Sequence, residues 1–345
     1  MSTNRAIPQK LPTNQFDHFY LGGNRIGALR HGPGGPRRPE EWIASLTTRF
    51  GQTLQGLSTL SSGQLLRDAI ATDPTAWLGA VHLNQFGVST EILVKLLDPD
   101  QRLPVHYHPN RAFAMEHLAL THGKTEAWII LEAPLGATVG LGFNRDYTKG
   151  EIAALVEARD ADGLLASLHS IPVSHGDSIL VPAGVPHAIG AGIFVLELQE
   201  PTDLSILLEW NDFAVDGVKD GHLDLGFDCA LDALRYTPID SVEMQTLVSK
   251  GALFGATNTP IFSQAADPYF RADYLTGVAS ELDAGFAILL ILGDAGEVTF
   301  GAHDSIKVIK GDALVIPYSA GSWKLTGTTG IVSRPPLSEF AALAI

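Results

Sequence analysis

The sequence holds a single cysteine, Cys229, in 345 residues. No disulfide can close within the chain, and a zinc site built on several thiolates is excluded; this usage fits a reducing compartment. Positive charge is also scarce. Lys and Arg number 23 against 38 Asp and Glu, a formal net charge of −15. Binding to nucleic acid needs clustered cations that neutralise phosphates, so neither DNA nor RNA is an expected partner, whereas a small anionic ligand needs only a few local cations. No stretch approaches the ~18 apolar residues of a membrane span, and the opening MSTNRAIPQKLPTNQFDHF has no apolar signal core. The expectation is a soluble cytoplasmic protein without a membrane partner. Charged residues make up 18% and apolar residues 45%, a globular rather than a disordered balance. The length is ample for two domains.

Residues 57–86 read as helical. Leu65, Leu66, Ile70, Trp77 and Leu78 recur at helical intervals, with a break at Asp73-Pro74. The apolar run Glu91 to Leu97, ended by Asp-Pro-Asp, reads as a buried strand. Thr148 to Leu168 is helical again, with acidic residues near its start, and lies between β-rich blocks as an insertion would. Strands return over 171–210. The polar, irregular stretch 211–245 leads to a second β-rich block over 250–345, where short strands alternate with Gly and Asp turns. The expected division is a first unit over 1–245, with helical insertions at about 57–86 and 148–168, and a second over 246–345. Arg30, Arg37 and Arg38 read as solvated surface, and Cys229 as core.

An internal echo supports two related β units. Gly176-Asp177-Ser-Ile-Leu-Val-Pro182 resembles Gly311-Asp312-Ala-Leu-Val-Ile-Pro317: a Gly-Asp turn, a buried strand and a terminating proline. The first continues to His187; the second continues to Trp323 with no histidine. A metal ligand is therefore expected in one unit and not in the other.

His106 and His108 are two residues apart, so on a strand both face one interior point while Tyr107 faces away. Glu126 can join them from a neighbouring strand, with Lys124 and Trp128 on its face. The approach Gly176-x5-Pro182-x-Gly184-x2-His187 matches the second cupin motif and aims His187 into a barrel. Neutral imidazoles and one carboxylate suit one divalent ion such as zinc, manganese, iron or cobalt. The plainer alternative is a barrel that keeps these four residues as polar core without a metal.

At this point the chain resembles the class I mannose-6-phosphate isomerases. ILVKLLD over 92–98 is similar to the family's LLVKLLDA, LPVHYHP over 103–109 to LSVQVHP, and GKTEAWIIL over 123–131 to GKTEMWYIL. VPAGVPHAIGAG over 181–192 is similar to VPAGTIHAIGKG, and Glu197-Leu198-Gln199 to EIQ. The resemblance implies a mainly β bicupin, two jelly-roll barrels with a helical insertion, the second barrel free of metal. It implies one metal, zinc in the family, and aldose–ketose isomerisation of a small sugar or sugar phosphate through a cis-enediol. Carried over by position, the ligands are His106, His108, Glu126 and His187, and Lys124 and Glu197 line the pocket.

Three positions depart from the family. His106 stands where the family has Gln, giving the three-histidine, one-carboxylate set of many other cupins. Pro104 replaces a serine associated with phosphate contact and offers neither hydroxyl nor N–H. Leu207 falls where an active-site arginine is expected, with Glu209 two residues on. The departures leave a free hexose open beside the 6-phosphate. They also leave open a metal-dependent oxidoreductase or dioxygenase and a non-catalytic sugar-binding cupin. The oligomeric state has no signature in the sequence.

Overall fold

The structure, a computed structural model, describes residues 6–254, 259–278 and 280–337. Its strands form four antiparallel sheets. Two belong to the first unit. One has the order Val248–Ser249, Ser178–Val181, Glu126–Glu132, Phe194–Gln199, Leu93–Leu97, Glu40–Ile43. The other has the order Ile206–Leu207, His106–Tyr107, His187–Ile189, Thr138–Phe143, Leu168–Pro172. The second unit contributes a six-stranded sheet centred on Ala287–Ile291 and a four-stranded sheet running from Ser280–Leu282 to Asp304–Ile309. This is the mainly β, two-barrel architecture that the sequence resemblance implies.

The Ala287–Ile291 and Ala313–Ile316 strands of the second unit's six-stranded sheet are buried on both faces. Leu289, Ile291, Leu314 and Ile316 point into the second barrel, where Val298, Phe300 and Trp323 complete a core. The alternate residues Ile288, Leu290, Ala313 and Val315 join a larger core with Val94, Leu96, Ile129 and Leu196 of the first unit. Burial on both faces is the reason AILLI and ALVI are continuous apolar runs rather than alternating ones. A third core, containing Tyr107, Phe143, Ile152, Val156 and Leu164, packs the 149–166 helices against the outside of the His106–Tyr107 sheet.

The chain crosses between the units more than once. Gln9–Lys10 pairs with Ala313–Ile316 of the second unit, and Val248–Ser249 pairs with Ser178–Val181 of the first. Arg30, expected on the surface, is buried at this seam. Its Nε donates to Glu41 Oε1 at 2.8 Å, Nη2 donates to the Leu11 carbonyl at 3.1 Å, and Nη1 reaches the Gly311 carbonyl. Arg37 is exposed and Arg38 half-buried.

Two helical expectations need correction. Residues 57–65 are not helical: Leu57 and Leu60 are buried, and Thr59 bridges to Leu65 in extended form. The helices are Leu66–Thr72, Pro74–Leu78 and Ala80–Phe86, broken at Asp73 and again at Gly79, whose φ of 80° is left-handed. They also reach the second unit, since a Cβ on Gly79 would lie 2.6 Å from the Tyr318 ring. The 148–168 segment forms Lys149–Ala158, started by a Thr148/Glu151 capping box, and Ala161–Ala166; Leu168 already begins a strand. Cys229 is half-buried, 3.6 Å from His117 Nδ1, rather than core. No helix among the described residues is long and apolar enough to cross a membrane.

Candidate metal centre and cavity

Sheet register brings the predicted residues together. His106 is the direct cross-strand partner of His187, which in turn opposes Leu141. His108 follows immediately after the strand, and Tyr107 points the other way to donate its hydroxyl to the Ala230 carbonyl at 2.7 Å. The ligand nitrogens of His106, His108 and His187 all lie within 4.8 Å of one another, and all three side chains are buried. From the facing sheet, Glu126 places Oε2 at 2.9 Å from His108 Nε2 and Oε1 at 3.3 Å from His187 Nε2.

Each imidazole is oriented by its second nitrogen. Nδ1 of His106 lies 2.8 Å from the Pro104 carbonyl, that of His108 2.7 Å from the Leu204 carbonyl, and that of His187 2.8 Å from the Val185 carbonyl. A carbonyl only accepts, so Nδ1 carries the proton and the Nε2 lone pair faces the common centre. Burial, followed by the charges of His187 and His108, holds His106 well below the usual imidazole range; burial and the Lys124 charge bring His108 down to about 3. Both are therefore neutral at pH 7. Burial would raise the Glu126 carboxyl, but Lys124, His108 and His187 outweigh it and keep it ionised. Glu126 Oε2 is buried without a hydrogen bond of acceptable angle, close as His108 and Lys124 Nζ (3.0 Å) are. Three buried imidazole nitrogens within 4.8 Å of one another, with the Glu126 carboxylate beside two of them, form a group that could hold a divalent ion.

Beside this centre the inner face of the Glu126 sheet carries a cross-strand row of Trp42, Lys95, Glu197 and Trp128. Lys95, which sequence reasoning passed over, is buried. Its Nζ lies 3.6 Å from Glu40 Oε2, 3.6 Å from Glu197 Oε1 and 3.9 Å from Asp203 Oδ1, and 4.5 Å over the Trp42 ring. Burial works against its charge, yet the surrounding carboxylates, Glu40 first, raise it well above the usual lysine range. A lysine inside an otherwise apolar strand, ILVKLL, was the signal that could have found it. Glu197 responds differently. Burial, then the Glu126 charge, pushes its carboxyl up to about 7 against the pull of Lys95 and Lys124, and its Oε1 has no hydrogen-bond partner.

A cavity of about 570 Å³ opens over these groups. Its floor includes His106, Lys124, Lys95 and Glu197, and its mouth is formed by Arg49, Phe50 and the 214–224 segment. Lys124, expected here, is held 3.0 Å from His108 Nε2 as well as beside Glu126. Glu209, for which the plainer expectation is a solvated carboxylate and the alternative a replacement for the missing arginine's polar function, is neither exposed nor on the cavity wall: Arg102 grips both its oxygens at 2.5 and 2.8 Å, and Val105 N–H donates to it at 2.8 Å. His122 pairs with Glu91 at 3.0 Å, away from the centre.

The fold is that of a two-barrel cupin, and among the described residues one group, the three histidines, could hold a metal ion. No protein-family model matches the chain. A mannose-6-phosphate isomerase from Streptococcus mutans is 30% identical over 264 residues, 75% of this chain and 80% of that protein. Among solved structures, the mannose 6-phosphate isomerase from Bacillus subtilis superposes with a TM-score of 0.72 at 22% identity, covering 95% of this chain and all of that one. A mannose 6-phosphate isomerase bound with zinc and yttrium superposes with a TM-score of 0.68 at 15% identity, covering 96% of this chain and all of that one. The chain belongs to the mannose-6-phosphate isomerase family.

Proposed function

We propose that the protein is a metal-dependent aldose–ketose isomerase acting on a hexose or hexose 6-phosphate, with His106, His108, Glu126 and His187 as the metal ligands. Mannose 6-phosphate, which the relative's name gives as its substrate, is the reference aldose, and fructose 6-phosphate is the ketose that isomerising it would form. The observation that carries the reading is a buried carboxylate, Glu197, with one oxygen lacking a hydrogen-bond partner, on the wall of a sugar-sized cavity that is also lined by His106 and Lys124. The donor set favours zinc, as in the zinc-bound relative, and also accepts manganese, iron or cobalt. When bound, the ion supplies a Lewis acid that polarises the sugar's oxygens.

The chain's own residues do the rest. Glu197 takes the proton from C2 of the open-chain aldose while O1 is protonated to give a cis-enediol, then returns the proton to C1 as O2 gives up its own, so the net hydroxyl proton transfer is from O2 to O1. Lys95, 3.6 Å from Glu197 Oε1, steadies the ionised carboxylate. Lys124 presents an ammonium beside the ligands, where charge develops on the sugar oxygen. Trp42 and Trp128 flank Lys95 and Glu197 in the cross-strand row and are fully buried, which keeps water from that side of the pair. The reading is tested by chromatographic interconversion of mannose 6-phosphate with fructose 6-phosphate, and of the free sugars. Turnover is expected in the metal-loaded protein and not after chelation, and Glu197→Gln should lose at least a hundredfold in kcat. Oxygen uptake without interconversion would favour the oxidoreductase reading instead.

A further inference from the structure

Two of the three permanent cations on the cavity wall are already matched. Lys95 lies among Glu40, Glu197 and Asp203, and Lys124 lies 3.0 Å from Glu126 Oε2. The third is Arg49, half-buried at the mouth. Its Nη1 donates to the Asp17 carbonyl at 3.2 Å and approaches Gln55 Oε1 at 3.5 Å. Among the described residues no ion pair includes Arg49, and nothing accepts from its Nε and Nη2. Those two nitrogens form the side-on edge of the guanidinium, the fork that grips two oxygens of one phosphate or carboxylate. The loop that carries it is fixed at both ends of the turn: Arg49 N–H donates to the Gln55 carbonyl at 2.8 Å, and Phe50 N–H donates to Asp203 Oδ2 at 3.0 Å.

We propose that Arg49 is a specificity-determining residue that receives a phosphate monoester at the end of the sugar remote from the histidine cluster, an inference that rests on the isomerase reading. His106 and Glu197 are buried on the wall of the cavity, and half-buried Arg49 lines the same cavity. An open-chain hexose with C1 and C2 beside His106 and Glu197 sends C6 towards Arg49. The guanidinium that the sequence lacks near Leu207 is thus supplied from a loop far earlier in the chain.

Asp216, Asp220 and Asp224 line the same mouth and are exposed. One guanidinium therefore acts against three like-charged neighbours of the phosphate. The preference for a phosphorylated sugar should be modest, below about a thousandfold, and should weaken as salt screens the exposed rim.

The test uses metal-loaded protein with mannitol and mannitol 1-phosphate, which bind without isomerising. Calorimetric titration of Arg49→Gln should show the phosphate compound weakened at least tenfold more than mannitol, about 1.4 kcal/mol. Arg49→Lys should recover part of that loss, since a point charge remains without the fork. The ratio of kcat/KM for mannose 6-phosphate over mannose should fall by the same factor. An unchanged binding ratio in Arg49→Gln, with the fold intact by circular dichroism, would overturn the assignment. If no sugar is isomerised, the isomerase reading fails, and the binding ratio still decides the role of Arg49.

Discussion

Pro104, Val185 and Leu204 serve the histidine cluster only through their carbonyl oxygens, so their side chains carry no trace of the role. The ligand-type residues themselves were legible, because the His-x-His spacing and the Pro-x-Gly-x2-His turn each dictate a direction for a side chain. Lys95, Glu40 and Arg49 were not, because their meaning lies in strand register and loop closure. With the proposed ligand set, His187→Ala should reduce the bound metal from about one equivalent to a small fraction by elemental analysis. Glu209→Ala removes both carboxylate bonds to half-buried Arg102 and leaves the buried Val105 N–H unpaired, and should cost about 1–3 kcal/mol in denaturant unfolding, the usual scale for an unsatisfied buried donor. Two carboxylates near the cavity titrate in opposite senses. Glu40 is raised by burial, but His18, Lys95 and hydrogen bonds from Trp42 and Tyr20 bring it down to about 2. Its contribution is present above the usual 4.5 and is lost as pH falls towards 2. Glu197, raised to about 7, favours folding in its protonated form; that contribution is full below 4.5 and is lost as pH rises through 7. In metal-free protein, Glu40→Gln should therefore be most destabilising near neutrality, by about 3 kcal/mol. Glu197→Gln should gain on wild type between pH 5 and 8. Denaturation midpoints across that range check both signs.

At the scale of elements, the strands were easier to read than the helices. The Gly-Asp-strand-Pro echo marks Ser178–Val181 and Ala313–Ile316, each buried throughout. The 57–65 segment misled because its leucines are spaced as a helix would space them, yet they are buried by an extended chain whose hydrogen bonds go to Ser45, Ser58 and Gln64. Both turns of the echo carry a left-handed glycine, Gly176 at φ 89° and Gly311 at φ 87°. A Cβ on Gly311 would fall 1.6 Å from the Leu29 carbonyl, so that turn is tied to the N-terminal segment that carries Arg30. Gly311→Ala should cost roughly 2–4 kcal/mol, combining left-handed strain with a backbone clash, and thermal unfolding would measure it.

For the whole molecule, the second barrel supports the first through a common core, which includes Leu11, Val94, Ile129, Ile288 and Ile331. A split at residue 245 divides the repeated β units by sequence, while the N-terminal strand and Val248–Ser249 each pair across that division. We expect one cooperative transition in calorimetry, and a chain ending at 245 should fail to fold stably because it exposes the Val94/Leu96/Ile129 face. The −15 charge and the aspartates at the mouth keep the molecule a poor anion binder except where Arg49 stands. All of this converges on proton transfer over the histidine cluster. The most direct measurement is NMR of mannose 6-phosphate and of mannose in D2O with metal-loaded protein. Deuterium should enter C2 of the aldose and C1 of the ketose, and chelation or Glu197→Gln should stop it. Full metal loading without deuterium at either carbon, for either sugar, would contradict the account.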